Sequence, residues 1–191
     1  MDECTEQEVQ RMLPMVSAQR REQALRYRHT FGQFCCLKSW MMLRAMIIGE
    51  MDFLYNEQGK PYIERGPYFS ISHCKAGIAV ALDDEPVGID IETIRRADDE
   101  LIQRTMNAEE QALIKSAGEE REAREFTRLW TKKEAVVKCL GTGIQSFEQL
   151  QNILAKYRNI DISTFEKENY IYSIAYGKLH CFGAKVPSSD L

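Results

Sequence analysis

The sequence lacks the features that mark several large classes of protein. Its six cysteines include no C-x-x-C pair, so their spacing fits neither a secreted disulfide framework nor a zinc site. The most apolar helical stretch, WMMLRAMII, is too short to span a bilayer and contains Arg44. The first ten residues, MDECTEQEVQ, are polar and acidic, so we expect no secretory or transit signal. These absences predict a cytoplasmic protein with reduced thiols and no membrane association.

An excess of positive charge is also missing. The formal net charge of -4 argues against a general nucleic-acid binder. Basic residues nevertheless concentrate between Arg20 and Arg44, where Glu22 is the single acid, whereas the stretch from Asp98 to Glu125 is rich in acids. A local basic region in an acidic protein fits a small polyanion, although a solvated helix face would explain any one of these arginines equally well.

The order of apolar patterns predicts an α+β protein with helices packed on small antiparallel sheets. Helical periodicity runs from about Ser17 to Ile48, and a second long helix is expected over Glu122–Leu140, ending at Gly141. Asn107 and Glu110 have the spacing of a capping box that opens a helix.

Strand patterns surround a short turn. GIAVAL and VGIDIE are separated by DDEP, which predicts a hairpin. Two more strand-like runs, YIYSIAYG and KLHCFGAKV, follow near the end of the sequence. A break near Pro86 would divide the chain into halves 1–86 and 87–191.

The VGIDIE run places two carboxylates inside an otherwise apolar strand. Side chains alternate along a strand, so Asp90 and Glu92 point to the same face. Two buried like charges cost several kcal/mol unless positive charge lies between them, as burial and repulsion both disfavour ionisation (~1–3 pKa units each). The sequence therefore predicts a cation next to this pair.

A second group of charges lies in LWTKKEAVVKCLGTGI. Glu134 and Lys138 are four residues apart and share one face of a helix. An exposed ion pair is the simple interpretation, although the closing GTG would let the backbone approach a ligand. Together with Asp90 and Glu92, Glu134 completes a set of three carboxylates that suits a magnesium ion bound to substrate phosphates.

Four motifs in order resemble a known family. GIDIE (Gly88–Glu92) and WTKKEAVVKCLGTGI (Trp130–Ile144) resemble the two signature motifs of the 4'-phosphopantetheinyl transferases. GKPYI (Gly59–Ile63) and FSISH (Phe69–His73) resemble the two preceding motifs of the longer, surfactin-synthetase-type class, and the basic segment QRREQALRYRH also resembles that class. The resemblance extends from about Ser17 to Phe147.

The resemblance implies a fold and an activity. The fold would consist of two pseudo-symmetric α+β halves, in one compact pseudo-dimeric unit, with the active site between them. The enzyme would transfer phosphopantetheine from coenzyme A to a serine hydroxyl of an apo acyl or peptidyl carrier protein, with Mg²⁺ bound, and release adenosine 3',5'-bisphosphate. We expect a monomer, because one chain contains both halves.

The resemblance also assigns roles by position. The magnesium-binding acids would be Asp90, Glu92 and Glu134. The residues that contact coenzyme A would be Arg20, Lys60, Ser72, His73 and Lys138, with Arg20 and His73 near the 3'-phosphate and Lys138 at the diphosphate. Glu134 is the first choice for the base that accepts the serine proton, and Asp90 and Lys138 complete the catalytic set.

Four positions depart from the pattern or stay open. Gln23 and Cys35 stand where the class has a lysine and an arginine, which weakens the expected grip on the 3'-phosphate. Glu109 matches an acidic position of the family, but helix capping explains an acid there equally well. For His73, packing or capping is the simple alternative to ligand binding.

Two other functions remain compatible with these residues. A magnesium-dependent phosphohydrolase of a nucleotide diphosphate would use the same acids and bases, with water in place of serine. A non-catalytic module that binds coenzyme A or a carrier would need no base and metal together. The sequence does not distinguish fatty acid, polyketide and peptide carriers.

Overall fold

The computed structural model describes residues 4–49 and 51–177, which form helices packed on small antiparallel sheets. The helices are α1 (Glu6–Met12), α2 (Ala18–Leu25), α3 (Thr30–Met46), α4 (Asp99–Thr105), α5 (Ala108–Ser116), α6 (Glu119–Leu140) and α7 (Phe147–Lys156). The strands are β1 (Leu54–Tyr55), β2 (Pro61–Tyr62), β3 (Tyr68–Cys74), β4 (Gly77–Asp83), β5 (Val87–Thr93), β6 (Asp161–Glu166) and β7 (Tyr170–Tyr176). The predicted α+β class is confirmed.

The strands pair differently from the sequence prediction. β3 and β4 form one hairpin, β1 and β2 form another, and the third sheet has the order β5-β7-β6. The predicted hairpin between β4 and β5 is wrong, because β5 pairs with β7 in a register that places Asp90 opposite Ser173. The short connection before Val87 carries the chain from one sheet to the next, and the tight reversal lies at Lys75–Ala76 instead.

Serine hydroxyls connect two of these sheets. The backbone N–H of Ile89 donates to Ser70 Oγ at 3.1 Å, and that of Ile91 donates to Ser72 Oγ at 3.3 Å. β3 therefore lies beside β5 and is joined to it by side chains. This contact connects the two predicted halves, 1–86 and 87–191, although the boundary between them stays a prediction.

Helix α6 packs closely against β5. A Cβ atom added at Gly88 would lie 2.0 Å from the carbonyl oxygen of Ala135, well inside van der Waals contact, so only glycine permits this approach. The helix ends at Gly141, whose φ of 70° is left-handed, as the sequence predicted. Residues Asp90, Glu92 and Glu134 are thereby carried on two elements in direct contact.

Other local predictions have mixed outcomes. The capping box of Asn107 and Glu110 is confirmed at the start of α5. The single helix expected over Ser17–Ile48 is instead two helices, α2 and α3, because the backbone of His29 is extended. YIYSIAYG forms β7, whereas KLHCFGAKV lies outside the described residues.

The structure bears on two further sequence features, the apolar helical stretches and the cysteines. In the described part of the chain, no helix is long and apolar enough to cross a membrane. Among the cysteines of the described residues, Cys4, Cys35, Cys36 and Cys74 are free thiols.

Candidate active site

Two adjoining cavities lie along β3, β5 and α6. The first, of about 300 Å³, is lined mainly by apolar and glycine residues from the β1–β2 turn, β3, and the end of α6 with the loop that follows it. The second, of about 320 Å³, is polar and is lined by Ile71, Ser72, His73, Asp90, Glu92, Trp130, Glu134 and Lys138. Ile71, Glu134 and Lys138 line both, so the two cavities meet at these residues.

The structure brings the three predicted carboxylates together at the second cavity. Asp90 and Glu92 reach it from β5, and Glu134 reaches it from α6. The alternation of strand side chains therefore placed Asp90 and Glu92 correctly on one face. Asp90 is buried, whereas Glu92 and Glu134 are half-buried.

Lys138 supplies the positive charge that the acidic strand required. Its Nζ atom lies 2.6 Å from Asp90 Oδ1 and also donates to Ser72 Oγ at 3.0 Å. The Ser72 hydroxyl in turn donates to Asp90 Oδ1 at 2.8 Å. Lys138 thus forms its ion pair with Asp90 on β5, whereas the simple interpretation paired it with Glu134 along its own helix.

Burial and the charge of Asp90 raise the pKa values of both glutamates. Burial, reinforced by Asp90 and Glu92 and opposed by Lys138, raises the pKa of Glu134 to about 7. Burial and Asp90 also raise the pKa of Glu92, while Arg95, Lys138 and a hydrogen bond from Trp130 oppose that rise. Close like charges disfavour joint ionisation, so a cation entering this cavity would favour the ionised form of both glutamates.

His73 lines the second cavity and Lys60 lines the first. Desolvation, followed by the charge of Lys138, lowers the pKa of His73, whose ring packs edge-on against Phe31 with centroids 6.0 Å apart. Lys60 lines the first cavity, and its Nζ donates to the carbonyls of Val87 and Cys139, both at 3.4 Å. Burial lowers the pKa of Lys60.

Arg20 lies away from both sets of cavity-lining residues. It is 7% exposed, and its guanidinium donates to Cys36 O, Ser39 Oγ and Gln23 Oε1. Gln23 accepts a second hydrogen bond from the Tyr55 hydroxyl at 2.7 Å. Arg20 therefore joins α2 to α3 in this structure, and its contact with a 3'-phosphate stays a prediction.

Cys35 and Glu109 are the two remaining positions singled out in the sequence. Cys35 is 1% exposed within the core formed by α1, α2 and α3. Glu109 is exposed in the first turn of α5, where an acid favours the helix dipole. Neither lines the two cavities described above.

Sequence reasoning missed residues that assemble the cleft. Ser70 bridges to β5, and the side chain of Asn56 donates to Gly141 O at 2.8 Å, which attaches the β1–β2 turn to the end of α6. The alternation in FSISH places Ser70 and Ser72 on one face of the strand and would have identified the first. The contact between the Asn56 side chain and Gly141 has no corresponding pattern in the sequence.

The three acids of the second cavity fit a metal ion that is bound by the protein and by substrate phosphates together. In residues 4–49 and 51–177, no three His, Cys, Asp or Glu side chains are grouped as a ready-made metal site. Asp90 Oδ2, however, is buried without a hydrogen-bond partner, which is costly unless a cation or donor meets it. Mg²⁺ commonly keeps water and binds substrate phosphates together with one or two carboxylates, and this donor set suits that mode.

The geometry defines an acidic cleft, next to a lysine, that suits a phosphorylated ligand. A model of the 4'-phosphopantetheinyl transferase superfamily matches residues 86–183, slightly more than half of the chain. The protein belongs to this family, as its motifs predicted.

Individual relatives extend the similarity toward the N-terminus. The chain is 34% identical over 153 residues to 4'-phosphopantetheinyl transferase psf-1 of Bacillus pumilus, covering 75% of this chain and 65% of that protein. It is 27% identical over 169 residues to the transferase gsp of Aneurinibacillus migulanus, covering 80% and 71%. It is 27% identical over 149 residues to Sfp of Bacillus subtilis strain 168, covering 73% and 66%. The matched part thus spans about two thirds of these relatives.

Proposed function

We propose that the protein transfers 4'-phosphopantetheine from coenzyme A to a serine hydroxyl of an apo acyl or peptidyl carrier protein. One observation carries the proposal: the ion pair of Lys138 with the buried Asp90 lines one open cavity together with Glu134, whose pKa is about 7. The membership of the chain in the transferase family directs this chemistry toward coenzyme A.

Asp90, Glu92 and Glu134 would hold Mg²⁺. Two features fit it: the unpartnered Oδ2 of Asp90, and the raised pKa values of Glu92 and Glu134, which burial and the charge of Asp90 cause. When bound, Mg²⁺ would offset the charge of the diphosphate oxygens of coenzyme A.

Lys138 would stabilise the charge that develops on the leaving phosphate. Its ammonium is held in place by Asp90 and Ser72, so little reorganisation is needed when the reaction occurs. Phosphoryl transfer depends mainly on such positioning and electrostatic stabilisation.

Glu134 would accept the proton of the attacking serine. The serine oxygen forms a bond to the phosphorus that bears pantetheine, the bond from that phosphorus to the bridging oxygen breaks, and adenosine 3',5'-bisphosphate leaves. The raised pKa of Glu134 suits a base that works near neutral pH, and its side chain borders both cavities.

The remaining predicted contacts would orient coenzyme A. Ser72 and His73 line the polar cavity and Lys60 lines the neighbouring one, so all three are placed to meet one ligand that spans both. The guanidinium of Arg20 has five N–H donors, of which four donate within the protein, so a contact with the 3'-phosphate would use the fifth donor or replace one of these bonds. We further propose that the protein acts in the cytoplasm as a monomer, without nucleic acid or membrane.

Intact-mass analysis of several apo carriers tests the activity. After incubation with the protein, coenzyme A and Mg²⁺, at least one carrier should gain a single phosphopantetheine group, and its serine-to-alanine variant should not. No gain on any fatty acid, polyketide or peptide carrier would overturn the proposal. Catalytic release of adenosine 3',5'-bisphosphate without any carrier would instead identify a phosphohydrolase.

A further inference from the structure

Lys133 is the neighbour of Glu134 in the sequence but does not reach the cleft. Its side chain is fully buried, at 0% exposure. Consecutive residues of a helix point about 100° apart, since the helix has ~3.6 residues per turn, so Lys133 projects from a different side of α6. A buried lysine needs hydrogen-bond partners for its ammonium group.

Three acceptors surround this ammonium. Lys133 Nζ lies 2.8 Å from Glu110 Oε2 on α5, and it donates to the carbonyls of Leu150 and Gln151 on α7 at 2.8 and 2.9 Å. An ammonium has three donors, so each has an acceptor. Lys133 therefore fastens both α5 and α7 to the helix that carries Glu134 and Lys138.

The acceptors are themselves held in place. Glu110 Oε2 also accepts the backbone N–H of Asn107 at 2.9 Å in the capping box of α5, and the Asn107 side chain donates to Gln151 O at 3.5 Å. The connected hydrogen bonds make this contact stiffer than an isolated ion pair.

The segment that connects α6 to α7 forms one wall of the first cavity. The connection between α6 and α7, residues 141–146, supplies Gly141, Gly143 and Ile144 to that wall. Both glycines have positive φ, in a region that glycine adopts freely, so the wall depends on how its ends are held. Asn56 holds Gly141 at one end, and Lys133 holds α7 at the other.

We propose that Lys133 is a positioning residue for coenzyme A, acting through α7 and the cavity wall at residues 141–146. This inference rests on the proposed function. Because Lys133 touches neither cavity, it sets the affinity for coenzyme A and leaves the chemical step at Glu134 and Lys138 largely unchanged.

The test is a double variant, Lys133→Met with Glu110→Gln, which removes the tether without leaving a buried carboxylate unpaired. Its KM and Kd for coenzyme A, with Mg²⁺ present, should rise about tenfold, as expected for the loss of charged hydrogen bonds, while kcat stays within about threefold. The control is Lys132→Met, which changes a neighbouring lysine near Arg128, Glu125 and Glu166. Its KM, Kd and kcat should stay within about twofold of the wild type.

The outcomes separate this inference from the proposed function. A folded double variant with unchanged Kd, or with equal losses in kcat and affinity, overturns the positioning role, whereas a wild type that does not bind coenzyme A overturns the proposed function. If the double variant does not fold, hydrogen exchange of the wild type decides. The amides of α7 from Leu150 onward, the first of which donates to Ser146 O at 3.2 Å, should already be protected without coenzyme A, and protection that arises only on binding would contradict the tether.

Discussion

Asp90 and Lys138 form an ion pair in which one carboxylate oxygen is satisfied and the other is not. Lys138 Nζ lies 2.6 Å from Oδ1, while Oδ2 is buried without a hydrogen-bond partner. The two side chains are unequally buried, at 5% exposure for Asp90 and 29% for Lys138. The carboxylate is therefore held in place through Oδ1, while Oδ2 remains available to a further cation or donor.

Replacing Lys138 with Gln should affect turnover much more than folding. Glutamine can still donate to Asp90, but it cannot place a positive charge beside the leaving phosphate. We expect kcat to fall by about 10²–10³, the usual effect of removing one donor that stabilises developing charge. Steady-state kinetics and thermal unfolding of the same preparation measure the two effects.

A Lys138→Gln protein that unfolds before any kinetic loss can be assigned would support the simple helix-pair interpretation. Lys132→Met is the matched control, because this half-buried lysine of the same helix lies among Arg128, Glu125 and Glu166. Its turnover should stay within about twofold of the wild type.

Asp90→Ala should abolish transfer and magnesium dependence together. Asp90 provides the buried oxygen that no protein donor meets, and without it the remaining acids hold a cation less tightly. In the wild type with coenzyme A, Mg²⁺ should raise the unfolding temperature, because ligands that bind the native state stabilise it. The variant should lose this rise, and an active, magnesium-dependent Asp90→Ala protein would remove the metal assignment.

The pKa of Glu134, about 7, predicts how stability depends on pH. Because the folded pKa lies above the usual value of 4.5, the protonated form is favoured on folding, and its stabilising contribution is complete below that value. The contribution is lost as pH rises through about 7. Urea unfolding without Mg²⁺ should show a larger decrease in the free energy of unfolding between these limits for the wild type than for Glu134→Gln.

The same pKa predicts the rate profile. If the ionised carboxylate is the base, kcat/KM for coenzyme A should rise with pH on the acid side of neutrality, and more Mg²⁺ should move the rise to lower pH by favouring the carboxylate. If the pH at which kcat/KM rises does not depend on the Mg²⁺ concentration, Glu134 is not part of the metal site.

Local periodicity predicted which side chains share a face, but not which strands pair. The two-residue repeat placed Asp90 and Glu92 together, and helical spacing placed Glu134 near Lys138. The partner of β5 is β7, some eighty residues away in the chain, and such pairing depends on the whole core. A turn motif before Val87 therefore favoured the wrong neighbour.

Charge and residue type alone also did not predict which arginine and lysine side chains reach the cleft. Arg20 and Lys133 both lie in segments that resemble the family, yet both are buried and donate to backbone carbonyls. Lys138, one helical turn beyond Glu134, lines the cavity. The difference is set by the direction of each side chain relative to the packed core, which requires the tertiary structure.

Gly88→Ala should separate β5 from α6. The new Cβ would lie 2.0 Å from Ala135 O and 2.4 Å from Cys139 N, so the backbones must move apart, at a cost of about 1–3 kcal/mol or more. Asp90 and Glu92 would then be displaced from Glu134. The value of kcat/KM should therefore fall by more than the increase in the unfolded fraction alone would explain. Gly77→Ala is the control, since its Cβ would meet Ile91 at 3.8 Å, and it should leave both nearly unchanged.

Arg20→Met separates the two possible functions of a buried arginine. Its guanidinium donates to Cys36 O at 2.9 and 2.7 Å and to Gln23 Oε1 at 2.9 Å, so its loss should lower the free energy of unfolding by about 2 kcal/mol. The family resemblance predicts in addition that coenzyme A loses more affinity than dephospho-coenzyme A. The Kd values for both ligands should be measured below the unfolding transition. The two ligands differ only in the 3'-phosphate, so equal losses of affinity would leave Arg20 with the structural function alone.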